Sequence, residues 1–316
     1  MRLALLSLTA TALFACAGSP PPAGPITSYT LPGQTVYPEG ITYNDAIKSF
    51  FVSSTSDGTI FRGNLDNPTA EVFLPPNPTE RPTAIGLNTD NTGKLFIAGG
   101  RTGRMFVYDL NTKALQRAYT TPATPQGGTF INDVAIAGDF AYFTDSVRPT
   151  IFRIPRTATA SSEAEAWLDV STTIPYGTAP GQFNLNGITA TSDGRYLLTV
   201  QSYNGKLFRI GVTDKSVVEI RVNGPLVNGD GLYLDGQTLY VVRNADKVIT
   251  PVRLNPDYTV GSIGTPFSHP SFRFPTTLAK ANGRLLVVNS QFNARSTPGA
   301  SPELPFTVSS IAIPTQ

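Results

Sequence analysis

The sequence predicts an all-β fold, a six-bladed β-propeller formed by a single domain, and three observations lead to that prediction. A short repeated phrase, a motif in which a polar residue precedes a Gly-Ile-Thr-like run of alternating apolar residues, occurs six times along the chain. The first residues of successive copies are 44, 49, 54, 44 and 46 positions apart. Each phrase is followed by short apolar or β-branched runs separated by Gly-containing turns, which indicate strands joined by hairpins. Self-similar units of this length are typical of propeller blades.

The six units follow one another without a break. Their starting residues are Glu39, Thr83, Asn132, Asn186, Asp230 and Thr276. The strand-like runs after them are FFVSS and TIFRGNL, LFIAGG and RMFVYDL, AYFTDS and TIFRIPR, YLLTVQS and KLFRIGV, LYVVRN and KVITPVRL, and LLVVNS. No extended stretch has helical periodicity, so we expect one propeller over residues 26–316.

Closure of the ring is expected to use both ends of the chain. The sixth unit supplies inner strands at about 276–281 and 284–289, and the terminal run FTVSSIAIP supplies a third. Its outermost strand is missing on the C-terminal side. The segment ITSYTLPG, residues 26–33, precedes the first blade and is the natural donor of that strand, which removes an exposed sheet edge. Truncation of either end should then destabilise the whole domain.

Charge and composition restrict the classes of partner. The 316 residues carry a formal net charge of +2, with no run of Lys or Arg. A nucleic-acid surface or an electrostatic membrane patch is therefore not indicated. We expect a small-molecule substrate and a monomeric protein.

The N-terminus predicts export from the cytoplasm. Residues 1–17 combine a charged start, an apolar stretch and small residues, as in a signal peptide, and residues 18–25 form a Pro-rich linker. Cleavage before Cys16, the only cysteine, would resemble lipoprotein processing, whereas cleavage after Ala17 would free the protein. Both routes stay open, and either places the mature domain, free of cysteine, in an extracytoplasmic location.

Equivalent residues of successive blades should lie at equal radii, so the six starting residues should point at the central axis. Four of them offer oxygen atoms: Glu39, Asn132, Asn186 and Asp230. Carboxylate and amide oxygens suit one divalent cation, such as calcium, magnesium or manganese, and less typically zinc. Asn and Asp before Gly are also common turn residues, which would explain any one of the four.

The motifs PEG at 38–40, IND at 131–133, NLNG at 184–187 and GDG at 229–231 resemble those of the gluconolactonase and regucalcin (senescence marker protein) family of six-bladed propellers. The resemblance covers the mature chain. It implies that Glu39, Asn186 and Asp230 bind one divalent cation, calcium most readily. It also implies that Asn132 contacts substrate and that Asp230 accepts a proton. Phe130 stands where sugar-lactone hydrolases of the family typically have arginine, so a more apolar lactone or ester is equally compatible.

A second ring follows from the second strand of each unit, at Ser54, Gly99, Asp145, Gln201, Arg243 and Asn289. If these residues face the channel, Asp145, Gln201 and Arg243 bind substrate, with Arg243 holding an anionic group. The alternative is that they form structural hydrogen bonds across blades. His269, the only histidine, is expected to be a solvated loop residue.

Taken together, these residues predict a metal-dependent hydrolase of lactones or esters without an organic cofactor or a covalent intermediate. The alternative is a non-enzymatic propeller that binds a ligand or another protein and holds a structural cation.

The lipid anchor is directly testable. We expect Cys16→Ser to release a lipoprotein from membranes, because it removes the only residue that can be lipidated at the cleavage site. Fractionation of membranes and supernatant, followed by mass spectrometry of the mature N-terminus, measures this. A wild-type protein that is already soluble and starts after Ala17 would leave only the simple signal peptide.

Overall fold

The computed structural model describes residues 25–123, 128–157, 161–179 and 181–314. The predicted signal peptide and Cys16 lie outside these ranges. The described residues form six four-stranded antiparallel sheets, which confirms the predicted six-bladed propeller. They contain no helix that is long and apolar enough to span a membrane.

The strands of blades one to three run from the axis outward in chain order. Blade one consists of β2 (Pro38–Asn44), β3 (Ser49–Ser54), β4 (Ile60–Asn64) and β5 (Glu71–Leu74). Blade two consists of β6 (Leu87–Thr89), β7 (Lys94–Ala98), β8 (Arg104–Asp109) and β9 (Leu115–Thr120). Blade three consists of β10 (Ile131–Ala137), β11 (Phe140–Asp145), β12 (Thr150–Pro155) and β13 (Glu165–Asp169).

Blades four and five repeat this order, and blade six combines both ends of the chain. Blade four consists of β14 (Leu185–Ala190), β15 (Tyr196–Gln201), β16 (Lys206–Gly211) and β17 (Val217–Ile220). Blade five consists of β18 (Gly229–Asp235), β19 (Thr238–Arg243), β20 (Val248–Leu254) and β21 (Gly261–Ile263). Blade six consists of β22 (Pro275–Ala281), β23 (Arg284–Asn289), β24 (Phe306–Ala312) and, outermost, β1 (Ser28–Leu31). The helix α1 (Phe292–Ser296) lies between β23 and β24.

The apolar core is divided among the interfaces between neighbouring blades. In β3, Phe50 and Val52 pack into the cluster shared with blade six, whereas Phe51 packs against blade two. Inner strands are therefore buried on both faces, which explains why the sequence reads as continuous apolar runs there.

Ring closure follows the prediction. Strand β1 pairs with β24, from Ser28 opposite Ser309 to Leu31 opposite Phe306. Tyr29 and Leu31 are buried, and the Tyr29 ring lies edge-on to Phe50 of blade one at 4.9 Å between centroids. The N-terminal strand thus completes blade six and contributes to its interface with blade one.

A β-bulge lies at the start of five innermost strands. In blade one, Pro38 pairs with Ser54 but Ile41 pairs with Val52, so one extra residue is accommodated around Glu39. The same shift occurs in blades three, four, five and six. A bulge re-aims side chains and bends the strand, which here turns the first residue toward the axis.

Blade two corrects one position of the predicted ring. A Cβ atom on Gly40 would lie 2.9 Å from the Cα atom of Gly86, and one on Gly86 would lie 2.6 Å from the Cα atom of Asp133. Gly86 is therefore the equivalent of Gly40, and the axial residue before it is Ile85. Thr83 lies two residues earlier and donates a hydrogen bond to the carbonyl oxygen of Thr55.

The closing strand gives a stability prediction. Leu31→Ala should lower the free energy of unfolding by about 2–5 kcal/mol, because it empties a fully buried site between β1 and the rest of the blade. Denaturant unfolding followed by circular dichroism measures this. Ser28→Ala, at an exposed position of the same strand, is the control and should change stability by less than about 0.5 kcal/mol. An equally small effect of Leu31→Ala would contradict this role of β1.

Candidate active site

A cavity of about 880 Å³ opens at the end of the axis where the innermost strands begin. Its floor contains the four predicted oxygen-bearing residues, and its walls come from the loops that lead into the blades. The floor residues are Glu39, Asn132, Asn186 and Asp230. The structure therefore brings together residues that lie as far apart in the sequence as Glu39 and Asp230.

Glu39 is a buried carboxylic acid with an unsatisfied oxygen. Its side chain belongs to the bulge of β2, and its Oε2 atom is buried without a hydrogen-bond partner among the described residues. Burial raises its pKa well above the usual value of 4.5, and the nearby charges of Asp230 and Asp133 raise it further. Without a counter-charge, Glu39 is therefore favoured in its protonated form.

Asp230 faces the same cavity from blade five. Asn244 donates a hydrogen bond from Nδ2 to Asp230 Oδ2 at 2.9 Å. Burial raises the pKa of Asp230 from 3.8 to about 7, although hydrogen bonding from Asn244 and Asn186 favours the ionised form. Asn244 was not predicted to be a site residue, because it lies in the turn after β19 and has no equivalent in the repeated phrase.

Asn132 presents its amide oxygen to the floor. Its Nδ2 atom donates to Ser146 Oγ at 2.8 Å, and Ser146 Oγ donates to the carbonyl oxygen of Leu185 at 2.6 Å. The chain of hydrogen bonds orients the amide, so that Oδ1 is left buried and unpartnered among the described residues. An oriented amide oxygen of this kind is available to a cation or to the hydroxyl group of a ligand.

Asp133 is a third buried acidic residue near the axis, and it was not a predicted site residue. It occupies the bulge position that Gly40 occupies in blade one, and its carboxylate accepts backbone N–H groups of Val134 at 2.8 Å and Ile188 at 3.0 Å. Burial raises its pKa to about 6 even so. The IND motif was the available signal, since an acidic residue follows the axial asparagine.

An aliphatic ring follows the polar floor along the axis. It consists of one residue from each blade, Ile41, Leu87, Val134, Ile188, Leu232 and Leu278, all of which are buried. These residues line a second cavity, of about 500 Å³, at the opposite end of the axis. The apolar ring keeps the carboxylates in a low-dielectric setting, which accounts for their raised pKa values.

The walls of the first cavity are aromatic and basic. Phe130 and Phe183 meet edge to face with centroids 5.2 Å apart, and Phe274 lies 6.4 Å from Phe292 of α1. Arg101 and Arg295 also line the cavity. Among these wall residues, only Phe130 is indicated by the sequence alone.

The predicted second ring does not reach this cavity among the described residues. Asp145 is completely buried and accepts hydrogen bonds from the backbone N–H groups of residues 130, 147 and 148. Gln201 donates to the carbonyl oxygen of Pro175 at 2.8 Å. Arg243 donates to the carbonyl oxygen of Val227 at 2.9 Å and pairs with an aspartate of its own turn. These contacts favour the structural alternative for Asp145, Gln201 and Arg243 over the predicted substrate-binding role, because their polar atoms hold loops in place.

His269 is an exposed loop residue whose Nδ1 atom lies 2.7 Å from Ser271 Oγ, outside the cavity.

No group of three or more His, Cys, Asp or Glu side chains suited to a metal occurs within the described ranges. Any cation at the floor would thus depend on amide as well as carboxylate oxygens.

The chain is similar to several solved structures at low sequence identity. Virginiamycin B lyase from Staphylococcus aureus is 14% identical, with a TM-score of 0.59 over 91% of this chain and 98% of that one. The calcium-binding protein regucalcin from Agrobacterium tumefaciens is 16% identical, with a TM-score of 0.61 over 89% and 93%. The Malassezia sympodialis allergen Mala s 1 is 14% identical, with a TM-score of 0.63 over 90% and 96%.

These likenesses establish the fold and leave the family open. The sequence matches none of the protein-family models compared with it, and comparison with curated proteins gives no significant match.

The buried acids predict a pH dependence of stability. In the cation-free protein, the free energy of unfolding should fall as pH rises from about 4 to about 7, because the unfolded chain releases protons that folded Asp230 and Asp133 retain. Urea unfolding in the presence of a chelator, at several pH values across this window, measures the slope.

Asp230→Asn should flatten that slope, since an amide does not titrate. Asp45→Asn, at an exposed position of blade one, is the control and should leave the slope unchanged. Equal slopes for the wild type and Asp230→Asn would contradict the burial argument.

Proposed function

We propose that this protein is a cation-dependent hydrolase of lactones or esters. The observation that carries the proposal is the set of oxygen atoms at the floor of the cavity, where two carboxylates and two amides converge. Glu39 Oε2 and Asn132 Oδ1 are buried there without partners in the described part of the chain. The ion pairs of the described residues include neither Glu39 nor Asp230. Two buried acids without a cationic partner are costly unless a cation neutralises them.

These residues fit a hard divalent cation. Glu39, Asn186 and Asp230 would hold it, and Asn132 has an oriented amide oxygen beside them. An all-oxygen set favours calcium, with magnesium, manganese and zinc as alternatives. The resemblance to the regucalcin and gluconolactonase family and the fold of the calcium-binding regucalcin support the same choice.

A bound cation would supply Lewis-acid polarisation of a carbonyl group and would make water more acidic. Asp230 is the proposed proton acceptor for the attacking water. Asn244 anchors Asp230 through Oδ2, so the carboxylate cannot rotate freely. Asn132 would orient the substrate or complete the set of ligands.

Virginiamycin B lyase has a similar fold, and its name indicates a different reaction. One observation argues against that reaction in this protein. An alanine variant of a histidine in virginiamycin B lyase is catalytically inactive. The only histidine of this chain, His269, is exposed and lies outside the cavity. Hydrolysis through the oxygen floor is therefore the better supported chemistry.

The floor residues give the decisive prediction. Glu39→Gln, Asn186→Ala and Asp230→Ala should each weaken calcium binding at least about tenfold, because too few hard oxygens remain to replace the hydration shell. Asn132→Ala should spare cation affinity and reduce turnover, because its expected contact is substrate. Calorimetric titration measures affinity, and far-UV circular dichroism checks the fold.

Activity is measured on a panel of aldonolactones, apolar lactones and aryl esters, with calcium, manganese or zinc and with chelator. Glu219→Gln, in an exposed ion pair of blade four, is the matched control and should bind calcium normally. Undiminished affinity in both carboxylate variants would remove the basis of the proposal. Tight calcium binding without any turnover would instead identify a non-enzymatic binding propeller.

A further inference from the structure

The cavity walls carry information about the ligand that the floor does not. Two aromatic pairs line the mouth, one formed by Phe130 and Phe183 and the other by Phe274 and Phe292. The first pair precedes blades three and four, and the second belongs to blade six. In a closed six-bladed ring, blade three lies across the axis from blade six. The pairs therefore stand on opposite sides of the opening.

These rings are available to a ligand. The Phe183 side chain is 39% exposed, and Phe292 is half-buried in a helix without buried residues. Large apolar side chains on both sides of a concave site favour a flat apolar group between them. An open polyhydroxylated chain such as gluconate would bury less of this apolar surface than a flat aromatic group would.

Phe274 is held in an unfavourable backbone conformation. Its φ angle of 55° lies in the left-handed region, which bulky residues rarely adopt. Ser290 donates a hydrogen bond from Oγ to the Phe274 carbonyl oxygen at 2.7 Å and fixes the peptide there. Such strain is maintained only where the surroundings impose it, and at this position it accompanies a ring that lines the cavity.

Two arginines add positive charge at the same mouth. The guanidinium carbon of Arg101 lies 5.7 Å from the centroid of Phe130, and that of Arg295 lies 5.3 Å from the centroid of Tyr37. Arg295 Nη1 also donates to Thr55 Oγ1 at 2.9 Å. Neither arginine forms an ion pair within the described part of the chain.

The charges of the side chains that line the cavity also favour an anionic ligand. The ionisable residues that line the cavity are two acids at the floor and two arginines at the mouth. Once a divalent cation neutralises the acids, the arginines leave the cavity positively charged. A guanidinium group without a carboxylate partner is suited to an anionic group of a ligand.

We propose that the ligand of this cavity is an aromatic compound with a negatively charged group, either an aryl carboxylate or an aryl-substituted lactone or ester that carries such a group. Its ring lies between the two phenylalanine pairs, and its negative group contacts Arg101 and Arg295. As a statement about substrate, the inference rests on the proposed hydrolase function. As a statement about binding, it rests on the walls and on neutralisation of the two floor acids, and it needs no turnover.

The test measures binding of ligands that cannot be hydrolysed, by calorimetry with calcium-saturated protein. The probes are 2-naphthoate, its neutral analogue 2-naphthylmethanol, and the polar anion gluconate. We expect 2-naphthoate to bind at least about tenfold more tightly than gluconate, because only the naphthalene ring buries the apolar walls.

Four variants assign the contacts. Phe183→Ala and Phe292→Ala should each weaken 2-naphthoate binding severalfold and leave gluconate binding unchanged. Arg101→Gln and Arg295→Gln should weaken 2-naphthoate binding but not 2-naphthylmethanol binding. Phe140→Ala and Arg153→Gln, which alter a stacked pair outside the cavity, are the matched controls and should change neither.

Equal affinities for gluconate and 2-naphthoate, or no effect of either phenylalanine variant, would overturn the inference. The binding data also separate it from the hydrolase proposal. Tight 2-naphthoate binding that depends on the phenylalanines, without turnover of any lactone or ester, would reject the hydrolase and keep the ligand class. Hydrolysis of aldonolactones with no 2-naphthoate binding would keep the hydrolase proposal and reject this ligand class.

Discussion

The close approach of the six innermost strands around the axis is the constraint on which the rest of the molecule depends. Backbone meets backbone there, as where a Cβ atom on Gly231 would lie 2.6 Å from the Cα atom of Thr277. Hydroxyl groups tie the same strands together: Thr276 donates to the carbonyl oxygen of Glu39 at 2.8 Å, joining the last blade to the first. Strands this close force the preceding side chains into one small volume, and that volume becomes the floor of the site.

Concentrating these side chains has an electrostatic consequence. Glu39 and Asp230 are nearly inaccessible to water, and Asp133 lies close enough to raise the pKa of both. Holding these acids together in a buried place lowers the stability of the folded protein, and the packed core compensates for that loss. A fold without a ligand at the axis would be expected to place apolar residues there, as it does one step further along, where six aliphatic residues form a ring. The contrast between the two adjacent rings supports a functional interpretation of the polar one.

Floor and walls differ in origin. Floor residues come from the repeated phrase, so every blade contributes an equivalent position. Wall residues come from loops of unequal length, such as the segment between β23 and β24 that contains Phe292 and Arg295. Loops on a rigid scaffold tolerate change more readily than the strands they join. The floor thus indicates the chemistry, whereas the walls indicate what is brought to it.

The repeat in the sequence determined the number of blades, their order and the donation of β1, because propeller blades are local units whose strands are adjacent in the chain. The repeat also predicted that Glu39 and Asp230 lie together at the axis, because equivalent positions of a repeat lie at the same distance from the propeller axis. It misplaced blade two by two residues, because only the contact of Gly86 with its neighbours fixes the register there.

Tertiary structure alone decided the remaining features. The repeat shows that Asp145 and Gln201 end the second strands of blades three and four. Contacts with the loops at those strand ends determine that their polar atoms bind backbone and not ligand. The convergence of Phe183 and Phe292 depends on loops with no common motif. Burial sets the pKa of Asp230, and burial is a property of the assembled ring. Local pattern specifies elements and their order, whereas contacts between distant residues specify which side chains meet and in what environment.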